Sequence, residues 1–402
     1  MKILLVAERY WPEVGAAPSR LANMADGLKK ECNEVDVLTS LPNYPKGRIF
    51  DGYRGCISKI ESRNGVNLFR YWIYATVSKS PIARILNMFS FAVMIWLFAF
   101  KRSKIKGYDI VIIQTPTLVV ASSAMWLFKG LYGKRCMLNV SDIWPSTAVD
   151  MGAMKEGSRS YRFLAWCERY LYRKSDGVLG QSNEILQYIA AYKERPERMF
   201  LYRNLQTYPL DRTPKEKHQP LRLVFSGMLG VAQDVAGIVQ HIPFKEMGVE
   251  FHILGGGKQL EEIQEYIKQH PDCNVFAHGF VPKEKIAQWL DQYDASIVPL
   301  ATRIRGAVPS KIYDILPQGL PILFCGGGEG ADFISDHKAG LISEPGDYDA
   351  LINNIELLRD MSNKDYQQMS ANCIKVSKEE LNFDKQMKEC CEWLAESIEL
   401  RD

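Results

Sequence analysis

The chain has 402 residues, 47% of them hydrophobic and 24% charged, a globular profile and a length too great for one ordinary core. Fifty Lys and Arg stand against 47 Asp and Glu, a net charge of +3, which is too balanced for a nucleic-acid binder. The nine cysteines form no C-x-x-C pair and lie near no histidine cluster, which argues against zinc and fits a reducing cytosol.

Ile3-Leu4-Leu5-Val6 follows Lys2 at the N-terminus with no small-residue cleavage site after it, so it reads as a first strand and not a signal peptide. From there, short apolar runs alternate with helical patterns, which indicates parallel sheets with crossover helices. Strands are expected at 3–7, 35–39, 67–71, 110–114, 137–140 and 177–180, with helices at 20–30 and 159–174. The apolar stretch 85–100 is preceded by Arg84 and followed by Lys101, Arg102, Lys104 and Lys106. It falls short of the roughly 20 residues a membrane span needs. It reads either as a buried crossover helix or as a helix partly sunk in a membrane face, with its basic residues on lipid headgroups.

Residues 206–220 are polar, carry Pro209, Pro214 and Pro220, and have no apolar period, so an interdomain linker is expected there. A second series of strands follows at 221–226, 250–254, 274–277, 295–298, 322–325 and 340–342. The expected class is therefore α/β, with two doubly wound domains, 1–205 and 221–375. Facing each other, they would enclose a deep central cleft lined by strand-to-helix loops, because open parallel sheets bind ligands beyond the carboxyl ends of their strands.

Four motifs carry chemistry. After the first strand, Glu8 to Arg20 contains no G-x-G-x-x-G. Its small residues around Gly15 lead into a helix bearing Arg20, which lets a phosphate or an acceptor approach the backbone. Asn139-Val140-Ser141-Asp142 ends another strand, and Asp142 is placed to hold an acceptor hydroxyl or stabilise positive charge on a sugar. An N-cap aspartate is the plainer reading of the same residue. Gly227 and Gly230 follow the first strand of the second series, where backbone N–H groups can face a phosphate. Finally, Pro309-Ser310-Lys311-Ile312-Tyr313-Asp314 opens a helix that Gly319 ends. Ser310 and Lys311 sit in its first turn, where anions are attracted, and Asp314 lies one turn on, placed to accept two ribose hydroxyls. Together they would grip a nucleoside diphosphate. The six histidines show no metal-ligand spacing, and there is no nucleophile elbow.

With these motifs in order, the chain resembles the retaining glycosyltransferases of the GT-B architecture, in the large group numbered family 4. Within it the chain is similar to amino-sugar transferases of O-antigen and capsule biosynthesis, including N-acetyl-L-fucosamine transferases. The markers are Gly15 to Arg20, Ser141 to Pro145, Ser226 to Gln233, His278 to Pro282, Pro309 to Asp314, and Gly340 to Ile342 with Pro345 to Asp347. The resemblance implies two Rossmann-like domains and a terminal helix, 376–402, crossing back to the first. It implies transfer of a sugar, of the N-acetylated deoxyamino kind, from a UDP-sugar to a polyprenyl-diphosphate-linked saccharide, at the inner face of the cell membrane. Neither a cofactor nor a metal is implied; the nucleotide enters as substrate.

This sequence departs from the family in four places, one of them Pro317 inside the signature helix, which should end it early. The family's paired donor-site glutamates fall on Gly306 and Asp314. No basic residue follows Gly227, where Gln233 stands, so Lys311 carries more of the diphosphate role. Where relatives place a histidine, this chain reads Gln114-Thr115-Pro116-Thr117, which leaves Asp142 as the first-domain catalytic candidate. The catalytic set is thus Asp142, Lys311 and Asp314, with Gly15, Arg20, Gly227, Gly230 and Ser310 joining Lys311 and Asp314 on the donor. A UDP-sugar 2-epimerase of the same architecture and a non-enzymatic two-lobed binding protein are the alternatives.

Overall fold

The computed structural model describes residues 1–31, 34–78, 80–193, 198–209 and 211–399. The chain divides into two units, Met1–Asn204 with Phe383 to the C-terminus, and Leu205–Asn382.

The first unit is built on strands β1 Lys2–Val6, β2 Glu34–Ser40, β3 Ser58–Arg63, β4 Val66–Tyr71, β5 Ile110–Gln114, β6 Arg135–Val140, β7 Gly177–Gly180 and β8 Met199–Leu201. Their order in the sheet is β3-β4-β2-β1-β5-β6-β7-β8. Among the described residues, only the β3–β4 pair of this sheet is antiparallel. β1 and β5 are continuous apolar runs because helices cover both faces of the sheet, and Ile3, Leu4, Ile110 and Ile112 are wholly buried. β3, the sequence Ser-Lys-Ile-Glu-Ser-Arg, lies on the edge, and solvent reaches it along its length. It has no apolar run and gave no strand signal.

The helix Ala16–Glu31 buries Leu21, Met24, Ala25 and Leu28, the spacing of one helical face. The terminal helix Phe383–Glu399 packs on it so closely that a Cβ on Gly27 would lie 2.7 Å from Met387 Cγ. Its Gln386 side chain accepts from the Arg203 amide at 2.9 Å and donates to the Arg203 carbonyl at 3.0 Å. The last helix is therefore part of the first unit. The preceding helix, Asn363–Glu379, stays with the second.

The second unit carries β9 Leu221–Ser226, β10 Val249–Leu254, β11 Val275–Gly279, β12 Ala295–Pro299, β13 Ile322–Cys325 and β14 Gly340–Ser343, all parallel, in the order β11-β10-β9-β12-β13-β14. The strand order reverses at β1/β5 in the first sheet and at β9/β12 in the second. These are the points where open α/β sheets take their ligands.

Two expectations need correction. The described part of 206–220 has no helix or strand, as its prolines dictate, yet it is not a free linker: it is strapped to the second unit. Lys217 Nζ donates to the carbonyls of Arg359 and Met361, both at 2.6 Å. The Lys215 amide donates to Ser370 Oγ at 2.9 Å, and the Asp294 carboxylate bonds the His218 ring at 2.7 Å. The long polar side chains that suggested solvent instead saturate the carbonyls where helices end. The apolar segment at 85–100 also differs. Its helix starts earlier, at Pro81, runs to Met94, and tightens to a 3₁₀ helix at Ile95–Phe100. One face, Phe91, Ala92, Ile95 and Phe98, is in the core. Most of the remainder is exposed, so the segment is not a buried crossover helix.

Candidate functional site

In the first unit, polar side chains converge where β5 and β6 end. Arg20, in the second turn of its helix, donates through Nη2 to Ser141 Oγ. Gln114 Nε2 also donates to Ser141 Oγ, at 2.6 Å, and Asn139 Nδ2 donates to Gln114 Oε1 at 2.7 Å. Arg20 Nε and Asn139 Oδ1 are buried without a hydrogen-bond partner among the described residues. Buried polar atoms left in that state cost stability and point to a ligand or water that would satisfy them. Burial raises the Asp142 carboxyl above the usual range, and the Arg20 charge only partly opposes the rise. Arg20, Ser141 and Asp142 thus form one group.

Gly15 is not drawn into it. Its φ is +148°, which favours glycine, and a Cβ there would meet Tyr44 only at an ordinary 3.5 Å. Sequence reasoning missed Glu8, at the carboxyl end of β1. It is 8% exposed, and burial pushes its carboxyl up to about 7. An acid directly after a central strand was the available signal.

In the second unit, Gly227 follows β9 and Lys311 lies on the helix after β12, on either side of the switch point. The helix Ser310–Ile315 is only six residues long and passes into a 3₁₀ turn at Leu316–Gln318, with Gly319 left-handed at its end (φ +69°). Pro317 accounts for the early stop. Pro309 is the N-cap residue and not the first helical one, and so short a helix contributes little dipole. The positive charge here depends on Lys311 itself.

Lys311 is folded inward, not extended into solvent. Its Nζ lies 3.8 Å from the centre of the Phe225 ring and makes no hydrogen bond among the described residues. Burial pushes its amine down to about 7, against the opposing pull of Asp314. A buried, half-charged amine without a partner gains most from an arriving anion. The space it occupies exists because residue 227 is glycine. A Cβ there would stand 2.4 Å from Lys311 Cε and 2.6 Å from Nζ, and φ is +144°. The loop is locked from the other side as well: a Cβ on Gly255 would lie 1.8 Å from the Gly227 carbonyl oxygen. We expect Gly227→Ala to displace Lys311, to cost about 1–3 kcal/mol of stability from backbone strain, and to weaken anion binding. Thermal melting and calorimetry with inorganic pyrophosphate measure the two effects separately.

Ser310 adjoins Lys311 at the helix start, and Asp314 follows one turn later, its Oδ1 held by Tyr208 and Gln206. A Cβ on Gly230 would lie 2.8 Å from Gln233 Oε1. His278 is engaged within its sheet: its Nε2 shares a 2.9 Å hydrogen bond with His252 Nδ1. A small pocket opens at the ends of β12 to β14, walled by Gln233, Asp234, Leu300, Glu344 and Tyr348, and Lys311 is not among its walls. Among the described residues, no group of three or more His, Cys, Asp or Glu is arranged to hold a metal ion.

Residues 15–204 match the model of the glycosyl transferase 4-like domain, and residues 221–360 match that of glycosyl transferases group 1. The chain is 24% identical over 261 residues to a protein of Pseudomonas aeruginosa named Probable glycosyltransferase WbjE, a match covering 60% of this chain and 62% of that one. It is 28% identical over 147 residues to the amylovoran biosynthesis glycosyltransferase AmsK of Erwinia amylovora, covering 33% and 35%. Less than two thirds of either relative's length is thus spanned. The fold is similar to that of Anabaena HepE, crystallised with UDP and glucose, with a TM-score of 0.66, 13% identity, and coverage of 98% of this chain and all of that one.

Proposed function

We propose that this chain, whose two halves belong to the glycosyl transferase 4-like and glycosyl transferases group 1 domain families, moves a sugar from a UDP-sugar to a lipid-linked saccharide of a bacterial surface polysaccharide. The observation that carries this reading is the Lys311 amine, buried and unpartnered against Gly227 at the β9/β12 switch point. It is the charge a departing diphosphate needs. UDP in the HepE structure and amylovoran biosynthesis in the AmsK name support the donor and a biosynthetic role.

In this mechanism the bond from the anomeric carbon to the diphosphate oxygen breaks, and its electron pair leaves with UDP. Lys311, Ser310 and the amides around Gly227 and Gly230 stabilise that charge without a metal ion. The acceptor hydroxyl adds on the face the diphosphate leaves, so the anomeric configuration is retained, and its proton passes to the leaving phosphate. Asp314 binds the ribose hydroxyls. Asp142, with the Arg20 charge acting on it, serves the acceptor side. The sugar is an N-acetylated deoxyamino sugar, and the acceptor a polyprenyl-diphosphate-linked saccharide. The enzyme works in the cytoplasm on the inner face of the membrane. Support for that placement comes from the first unit: residues Ile82–Phe100, nineteen in all, are long and apolar enough to cross a membrane, and Lys101 and Arg102 follow them.

The test is a panel of UDP-sugars incubated with a synthetic polyprenyl-diphosphate monosaccharide, read by mass spectrometry. Acceptor extension by one sugar with release of UDP is expected. No extension with any donor, or modification of the UDP-sugar with no acceptor present, overturns the reading.

A further inference from the structure

Asp314 is held by residues more than a hundred positions away. Gln206 Nε2 and Tyr208 OH donate to the same oxygen, Asp314 Oδ1, at 2.9 and 2.8 Å. Both donors lie just after Leu205, where the chain enters the second unit. Burial, and then the Asp314 charge, raise the Tyr208 hydroxyl well beyond its ordinary range, so it stays a donor at every working pH. Two donors on one oxygen fix both torsions of an aspartate. Left alone, this short side chain would be free to rotate among staggered wells. The straps described above hold the following stretch of the same segment, so the donors are anchored in turn.

We propose that Gln206 and Tyr208 are positioning residues for ribose recognition. They hold the Asp314 carboxylate in the orientation that accepts the ribose hydroxyls, without touching the nucleotide. The inference rests on the assignment of Asp314 to the ribose. It gives the polar segment 206–208 a role in selecting ribonucleotides over deoxyribonucleotides.

Calorimetry with UDP and with 2′-deoxy-UDP tests it. Wild-type protein is expected to prefer UDP by roughly tenfold, the value of a charge-assisted hydrogen bond. In Tyr208→Phe the preference should fall to roughly threefold or less, while 2′-deoxy-UDP binds within about twofold of wild type. Gln206→Leu should act in the same direction, and the double variant should bring the ratio close to one. Loss of both nucleotides in parallel marks a merely structural role and overturns the inference. A wild-type ratio retained in the variants overturns it too, while leaving Asp314 on the ribose. If wild type binds UDP and 2′-deoxy-UDP equally, or binds neither, the assignment beneath it fails and takes the inference with it. Should Tyr208→Phe not fold, Gln206→Leu decides by the same ratio.

Discussion

Lys311→Met is expected to lower kcat/KM for transfer by about 10²–10³, the usual effect of removing one preorganised charge from a site where negative charge develops. The folded protein should melt no lower than wild type. Methionine places an apolar end where the amine now lies over the Phe225 ring, and the substitution removes a buried amine that has no hydrogen-bond partner among the described residues. Lost activity with preserved stability separates a binding role from a packing role.

The pH dependence sharpens the test. Lys311 has its amine pushed down to about 7 in the fold, against 10.5 when free. Between those values the unfolded chain binds more protons than the native one, so this group makes stability rise with pH from about 7 to about 10.5. Below about 7 its cost is constant. In Lys311→Met that slope should vanish. An arriving diphosphate restores the charge, so donor binding takes up a proton. Affinity for UDP should be highest near neutrality and fall by up to tenfold per pH unit between about 7.5 and 9, where the phosphates no longer titrate. Calorimetry in two buffers of different ionisation enthalpy counts the proton. Equal heats in wild type, or an uptake retained in Lys311→Met, would sink the assignment.

The parts of this site legible in the sequence are those set by local pattern. β1, β5, β9 and β13 are buried on both faces and announce themselves as apolar runs. Pro309, Pro317 and Gly319 mark the short helix because each constrains its own backbone. What the sequence hides depends on approach over long separations. Nothing near Lys311 says that its amine lies over the Phe225 ring, or that Gly227 clears the space for it. That follows from β9 and β12 being neighbours in the sheet. The Gly255 to Gly257 turn passed unremarked, yet its backbone meets the Gly227 loop: Gly227 N donates to Leu254 O at 2.8 Å and Leu229 N to Gly256 O at 2.9 Å. The hold of Tyr208 on Asp314 was hidden for the same reason. Composition gave 206–220 as irregular, correctly, but irregular backbone can still be firmly anchored when its lysines find helix-terminal carbonyls.

Replacing Phe89, Trp126, Phe163 and Trp166 together by serine should release the protein from anionic vesicles by a factor of about 100 or more. These rings are 40%, 58%, 41% and 56% exposed, unusual for such side chains on one unit. They form a continuous face over three helical segments. Phe89 stacks on Phe163 at 6.3 Å, Phe163 on Trp166 at 6.4 Å, Trp166 on Tyr170 at 5.9 Å, and Tyr170 on Trp126 at 6.5 Å. Ile82, Ile85, Leu86 and Val93, all exposed, extend it along the first helix. Burying an aromatic ring in the interfacial layer contributes about 1–2 kcal/mol. Four rings together outweigh the roughly 1 kcal/mol that each flanking cation, Lys101 and Arg102 among them, gains from an anionic surface. Wild-type binding should therefore weaken with salt but persist, whereas the fourfold variant should leave only the salt-sensitive part. Because the rings are on the surface, melting should change little. Co-sedimentation with vesicles of about 30% anionic lipid, at low and high salt, reads the partition. A paired assay then ties it to catalysis: extension of a long-chain polyprenyl acceptor in vesicles should fall with binding, and extension of a short, water-soluble analogue should not. Equal loss on both acceptors, or vesicle binding unaltered by the substitutions, would remove this face from the membrane and leave the acceptor to reach Asp142 by another route.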